Sequence, residues 1–278
     1  MIFMQSKMYN SESGPNCFCG PFSQEHSANI CHIIMSCNRP EYLIPTLNSI
    51  HNIDFSKHKV HRVLVDDYPK NRNNEFFARL AFTYGIDELI LNTENKGLSV
   101  VWTELYELLK NRGYDYILHQ EDDVVLLHPI NINLWCDILV NYKPNVCSAV
   151  LTRQPWYPGE DPFIALSNDH IIHNYRVEYR DQVFSPMFSL YRAEIMEEPF
   201  VQRWRVNLNE GMIMQHLREK SMQCAYIKTT DGNNMIAHIG EHFTGRRILP
   251  GEPGWEQFKN FDPNKTYCSR TGQEIIPK

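Results

Sequence analysis

Short apolar runs alternate with amphipathic stretches through the first half of the chain. Ile30 to Met35 reads as a buried strand, and the turn Ser36-Cys37-Asn38-Arg39-Pro40 opens a helix with Leu43, Ile44, Leu47 and Ile50 on one face. Val60 to Val65 predicts a second strand, ending at Asp66-Asp67. Residues 73–84 predict a helix striped by Phe76, Phe77, Leu80 and Ala81, and Glu88 to Leu91 a third, short strand. Asn95-Lys96-Gly97 starts a long helix with Leu98, Val101, Leu105, Leu108 and Leu109 as its stripe. Tyr114 to His119 is a fourth strand, running into Glu121-Asp122-Asp123. This alternation predicts an α/β fold with a mixed, mainly parallel sheet of Rossmann type, flanked by helices on both faces.

The second half is patterned differently. Leu134 to Val140 predicts a helix, Val146 to Leu151 a strand, and Gln154 to Asp169 a loop rich in Pro, Gly and aromatic residues. Ser185 to Tyr191 and Ala225 to Lys228 are strand-like, and Asn207 to Lys220 is an amphipathic helix. His238 to Arg247 reads as a polar loop with two histidines and two arginines. Residues 1–28 lack periodicity and are expected to be a flexible arm, with one domain over residues 29–278.

Composition narrows the class. A chain of 278 residues with 42% apolar and 22% charged residues is ordinary for a globular protein. The net charge of −6 argues against a nucleic-acid partner. No apolar run reaches the roughly 20 residues of a membrane span, and Met1 to Gly20 lacks a basic region followed by an apolar one. Cys31, Cys37, Cys136, Cys147 and Cys224 lie in apolar stretches, as buried thiols do, and a reducing, cytoplasmic setting is expected. Cys17 and Cys19 with His26 and His32 match no standard zinc spacing.

The acidic triplet carries the chemistry. Three adjacent carboxylates repel one another, and a solvated turn is the plain reading of such a cluster. Here apolar runs flank it, so it sits at the carboxyl end of a buried strand, where open α/β sheets bind ligands. Hard Mg²⁺ or Mn²⁺ takes carboxylate oxygens and leaves positions open for phosphates. No P-loop or G-x-G-x-x-G phosphate loop is present.

In series, Ser36-Cys37-Asn38-Arg39-Pro40, Val63-Leu64-Val65-Asp66-Asp67, Asn95-Lys96-Gly97 and Glu121-Asp122-Asp123 resemble the motifs of nucleotide-sugar-dependent glycosyltransferases of the GT-A fold. The last is similar to the metal-binding DxD motif, in a variant like that of inverting N-acetylglucosaminyltransferases. The motifs cover residues 30–126 in the family's order, and the resemblance fades beyond residue 150. The compact build is also similar to glycosyltransferases encoded by large algal viruses.

The resemblance implies a nucleotide-binding half at 29–127 and an acceptor-binding half at 128–278. It implies that Ser36, Asn38, Arg39 and Asp66 hold the base and ribose, Asp66 accepting from the N3–H of uracil, with Asn95 and Lys96 nearby. Asp123 is the expected direct ligand of Mn²⁺ or Mg²⁺, with Glu121 and Asp122 nearer the ribose or behind the direct ligand. His238 or His242 completes the metal site, and Arg246 and Arg247 clamp the diphosphate. Glu210, opening its helix, resembles the family's general base, although helix dipoles also favour a carboxylate there. Glu160 and Asp161 are reserve bases, Trp156 and Tyr157 can stack on a sugar, and Phe184 to Phe188 either floors the sugar pocket or is core. The expected reaction moves a sugar from a nucleoside diphosphate, UDP above others and with xylose or glucose as leading donors, to a hydroxyl of a glycan or glycoprotein, with inversion. The rivals are a metal-dependent sugar-phosphate nucleotidyltransferase, whose first turn would normally be glycine-rich and basic, and a non-catalytic nucleotide- or carbohydrate-binding protein.

Overall fold

The computed structural model describes residues 27–55, 57–139, 146–151, 153–154, 170–172, 175–180, 187–196, 210–230, 235–244 and 266–268. The first half runs β1 (Asn29–Ser36), α1 (Pro40–Ser49), β2 (Ile53–Asp54), β3 (Lys59–Asp66), α2 (Asn74–Thr83), β4 (Glu88–Leu91), α3 (Leu98–Leu109), β5 (Tyr116–Glu121), β6 (Val124–Leu126), β7 (Ile130–Asn131) and α4 (Ile132–Asp137). Then follow β8 (Val146–Leu151), β9 (Arg153–Gln154), β10 (His170–Ile172), β11 (Tyr175–Arg180), β12 (Phe188–Arg192), α5 (Glu210–Glu219), β13 (Gln223–Thr229), β14 (Ile236–His238), β15 (His242–Thr244) and β16 (Thr266–Cys268).

One nine-stranded sheet organises these elements, in the order β10-β11-β13-β8-β12-β5-β1-β3-β4. The pairings β5-β1, β1-β3, β3-β4 and β13-β8 are parallel. Only β11 and β12 run against the other seven strands. The sheet is therefore mixed with one dominant direction. After its first residue β1 is buried throughout, as a central parallel strand covered on both faces must be.

Both faces are covered. Leu43 and Leu47 of α1, Phe77 and Leu80 of α2 and Trp135 of α4 pack on one. Val101, Trp102, Leu105, Tyr106 and Leu109 of α3 and Leu217 of α5 pack on the other. The stripe of α3 differs from the one expected. Leu98 and Leu108 are exposed, at 52% and 44%, because Trp102 and Tyr106 supply the buried face beside Val101, Leu105 and Leu109 and turn the helix toward them. Phe188 is core, edge-on to Trp135 with ring centroids 5.7 Å apart.

Helix starts follow local chemistry. Pro40 sits in the first turn of α1, where a missing N–H costs nothing. The Asn73 side chain caps α2 by accepting from Phe76 N at 3.0 Å. α3 has no side-chain cap; the Asp67 carboxylate just beyond β3 instead holds the N–H groups of Lys96 and Gly97 that lead into it. The stretch expected as a polar loop from His238 instead contributes β14, a short 3-10 turn and β15. β14 forms because it pairs with β6, His238 opposite Val124. Cys37 is exposed in the first turn, contrary to the buried expectation, while Cys31, Cys136, Cys147 and Cys224 are buried. His32 is also buried and bonds Gln120 Oε1 from Nε2 at 3.0 Å. No helix among the described residues is long and apolar enough to cross a membrane.

Candidate active site

Parallel register brings the motifs together. Ser36 pairs with Asp66 and Met35 with Glu121, so β1, β3 and β5 end on one rim. Main-chain bonds extend the alignment past the strands: Asp67 N donates to Ser36 O at 3.0 Å, Asn92 N to Asp66 O at 3.0 Å and Asp122 N to Met35 O at 2.9 Å.

The acidic triplet divides into two. Asp122 is fully buried. Its carboxylate accepts from Arg39 Nε at 3.0 Å, from Arg39 Nη2 and from Cys37 N at 3.3 Å. Its carbonyl accepts from Thr46 Oγ1 at 2.8 Å. Asp122 thus ties the first turn and α1 to the end of β5. Glu121 and Asp123 converge with His238, their ligand atoms within 4.8 Å of one another. Pairing of β14 with β6 delivers His238, and Ile239 N donates to Asp123 O at 2.8 Å.

Two basic side chains face Asp123. Arg39 Nη1 lies 3.0 Å from its Oδ2 and His238 Nε2 lies 3.4 Å from its Oδ1. Burial pushes the carboxyl up, but His238 and Arg39 outweigh it and hold the group below the usual carboxylate range. Asp123 therefore presents an ionised oxygen at the rim. Two carboxylates and one imidazole form a donor set that can hold a divalent cation; the carboxylates suit Mn²⁺ and Mg²⁺, and the imidazole favours Mn²⁺ over Mg²⁺.

A second cluster forms the other side of the rim. Asp66 is fully buried and pairs with Arg72 Nη1 at 2.9 Å. Asp67 accepts from Gly97 N at 2.7 Å, Lys96 N at 3.2 Å and Asn92 Nδ2 at 2.8 Å. The Asp67 carboxylate thus holds the main chain that leads into α3 and fixes Lys96-Gly97 at the end of β3. Gly97 has φ +78°, a backbone open chiefly to glycine. Lys96 Nζ reaches Glu104 at 2.6 Å.

The structure therefore gathers Ser36, Asn38, Arg39, Asp66, Lys96, Glu121, Asp122, Asp123 and His238, with Asn95 adjacent, around one rim. Glu210 is the first residue of α5 and His242 the first of β15. Glu160, Asp161, Trp156, Tyr157, Arg246 and Arg247 lie outside the described residues, as do Cys17, Cys19 and His26. Pattern reading missed Arg72, Asn92 and Gly240. Arg72 lies in a polar turn without periodicity and acts through the Asn92 carbonyl, 20 positions on, and through the Asp66 carboxylate, six positions back.

No protein-family model and no curated protein sequence matches the chain. Solved structures do resemble it. A mannosyltransferase, PcManGT from Pyrobaculum calidifontis, in complex with GDP-Man and Mn²⁺, has TM-score 0.52 and 11% identity over 77% of this chain and 57% of its own. GalNAc-T7 with UDP, GalNAc and Mn²⁺ has TM-score 0.51 and 10% identity over 77% of this chain and 44% of its own. TarS 1-349 of S. aureus with UDP-GlcNAc has TM-score 0.50 and 11% identity over 75% of this chain and 58% of its own. The chain spans about half the length of these neighbours. What the likeness establishes is the fold: a mixed α/β domain of the kind found in GT-A glycosyltransferases.

Proposed function

We propose that the chain is a metal-dependent glycosyltransferase that moves a sugar from a nucleoside diphosphate, UDP first among candidates, to a hydroxyl of a glycan or glycoprotein. The observation that carries this reading is the convergence of Glu121, at the carboxyl end of β5, with Asp123 in the turn after it and His238 of β14. In this reading Glu121-Asp122-Asp123 serves as the DxD motif. Residues 29–127 hold the nucleotide and 128–278 the acceptor. UDP-xylose and UDP-glucose are the leading donors, on the resemblance to viral glycosyltransferases.

Each residue has a physical task. Asp123, Glu121 and His238 hold Mn²⁺ or Mg²⁺, and His242 is a further candidate ligand on the next strand. The bound ion supplies Lewis-acid stabilisation of the charge that builds on the departing diphosphate. Arg39 holds Asp122 and steadies Asp123. Ser36, Asn38, Asn95 and Lys96 line the nucleotide side of the rim, and Arg246 and Arg247 complete the diphosphate contact. Glu210 takes the acceptor proton, with Asp161 in reserve, and a single displacement inverts the anomeric centre.

Hydrolysis and transfer assays over a panel of nucleotide sugars, with Mn²⁺, Mg²⁺ or chelator, test the proposal. Metal-dependent release of nucleoside diphosphate supports it. Consumption of a nucleoside triphosphate with a sugar phosphate would transfer the reading to a nucleotidyltransferase, and binding without turnover to a non-catalytic protein.

A further inference from the structure

The nucleotide-sugar reading raises the question of what meets the base. Asp66 was the expected acceptor for uracil N3–H, yet its carboxylate is buried and largely committed within the protein. Oδ1 accepts from Arg72 Nη1 at 2.9 Å and from Tyr68 N at 3.3 Å, and Oδ2 from Asn38 N at 2.5 Å. The residue is fully buried, and the Arg72 side chain is only 4% exposed. A carboxylate offers about four lone-pair sites, and three of them are taken from within the protein.

Arg72 is equally committed. Its Nη1 also donates to Asp66 O at 3.1 Å, Nη2 to Asn92 O at 2.8 Å and Nε to Asn74 Oδ1 at 2.9 Å. One guanidinium thus closes the ends of β3 and β4. Asp66 is 0% exposed, so a base could reach the remaining site only by opening this cluster, which would part a buried guanidinium from its carboxylate and is strongly unfavourable. The same cluster sets the first turn. Asn38 stands at φ +51°, a conformation costly for most residues with a Cβ. Its main-chain N is held by Asp66, and its Nδ2 donates to Lys70 O at 2.9 Å.

We propose that Asp66 and Arg72 are positioning residues: their closed ion pair holds Asn38 in its left-handed conformation, and the base is met by the Ser36–Arg39 turn rather than by the Asp66 carboxylate. This rests on the nucleotide-sugar reading. It separates two roles that a base contact would merge. A carboxylate reading N3–H selects uracil against cytosine, which carries an acceptor at that position. A carboxylate that positions the turn affects every base alike.

Calorimetric titration of UDP, CDP and GDP with Mn²⁺ tests this in wild type, Asp66→Asn, Arg72→Lys and the double variant Asp66→Asn/Asn38→Gly. Loss of the anchor should weaken all three ligands by a similar factor, about tenfold for a hydrogen bond to a charged group. Glycine adopts positive φ at no steric cost, so Asn38→Gly in the Asp66→Asn background should recover part of the affinity for all three. A tenfold or larger change in the UDP-to-CDP ratio in Asp66→Asn would overturn the proposal, as would unchanged affinities. Should Asp66→Asn fail to fold, Arg72→Lys carries the same test: parallel weakening supports positioning, and a change confined to UDP contradicts it. Failure of wild type to bind any of the three would sink the nucleotide-sugar reading itself, and this proposal with it.

Discussion

Gly240 lies against the carboxyl group of Asp123. A Cβ built on Gly240 would come 2.6 Å from Asp123 Cγ and 2.7 Å from its Cβ. The φ of Gly240 is −87°, open to any residue, so what the position demands is space and not backbone freedom. The Asp123 carboxylate cannot yield easily, because Arg39 grips it from the other side.

Gly240→Ala should therefore displace Asp123 from Glu121 and His238. Overpacking of this kind costs about 1–3 kcal/mol, which should appear as a lower Tm. The same change should weaken Mn²⁺ binding by about tenfold or more. A variant with wild-type Mn²⁺ affinity by calorimetry would show that Asp123 does not need its present position.

Arg39 and Asp122 form a partly sealed pair, with Asp122 fully buried and Arg39 21% exposed. Removing one partner of a buried pair costs about 3–5 kcal/mol, because the other charge is left uncompensated. Arg39→Met should lose stability on that scale in denaturant unfolding. Adding Asp122→Asn should return a substantial part of it. Additive losses in the double variant would mean that the two side chains are not coupled.

Much of the parallel half was legible. The ends of its central strands are buried, so Ile30 to Met35 and Val63 to Val65 appear as mainly apolar runs, and the acids after two of the strands, Asp66-Asp67 and Glu121-Asp122-Asp123, mark the rim. The sorting within Glu121-Asp122-Asp123 was not legible. Which carboxylates meet His238 and which is sealed beneath Arg39 depends on the turn between β5 and β6 and on β14, more than 100 residues away in sequence. The β14 and β15 strands read as loop because they are three residues each, too short to show a period of two. The role of Asp67 in holding the entry to α3 was hidden for a related reason: its partners there are main-chain N–H groups 29 and 30 positions on, and no side-chain pattern records them.

His32 predicts an acid-sensitive fold. Burial, followed by the nearby Arg62 charge, pushes its pKa from 6.5 down to about 3, against a smaller lift from Gln120. Its folded pKa is depressed, so the stability it contributes is complete above pH 6.5 and is lost progressively as pH falls toward about 3. At pH 5 the loss is about 2 kcal/mol relative to pH 7. His119, held at about 3 by burial and then by His32, adds a similar slope. His32→Gln should remove about half of the decline between pH 7 and 5 measured by denaturant unfolding. An unchanged slope would mean that His32 protonates in the folded state.

Glu210→Gln tests the proposed base. The change keeps size and removes the basic oxygen, so transfer should fall by about 10²–10⁴-fold while UDP affinity stays near wild type. A helix-end role alone predicts a stability loss of about 0.3–1 kcal/mol with nearly normal turnover. Retention of anomeric configuration in the product would rule out a base-assisted single displacement.

The central claim is that Asp123, with Glu121 and His238, makes nucleotide-sugar binding depend on a divalent cation. Calorimetric titration of UDP into wild type and Asp123→Ala, each with Mn²⁺ and with chelator, measures it directly. Wild type should bind UDP at least about tenfold more tightly with Mn²⁺. Asp123→Ala should lose that difference while keeping a cooperative unfolding transition. A variant that retains the full Mn²⁺ enhancement, or a wild type indifferent to Mn²⁺, would contradict the account.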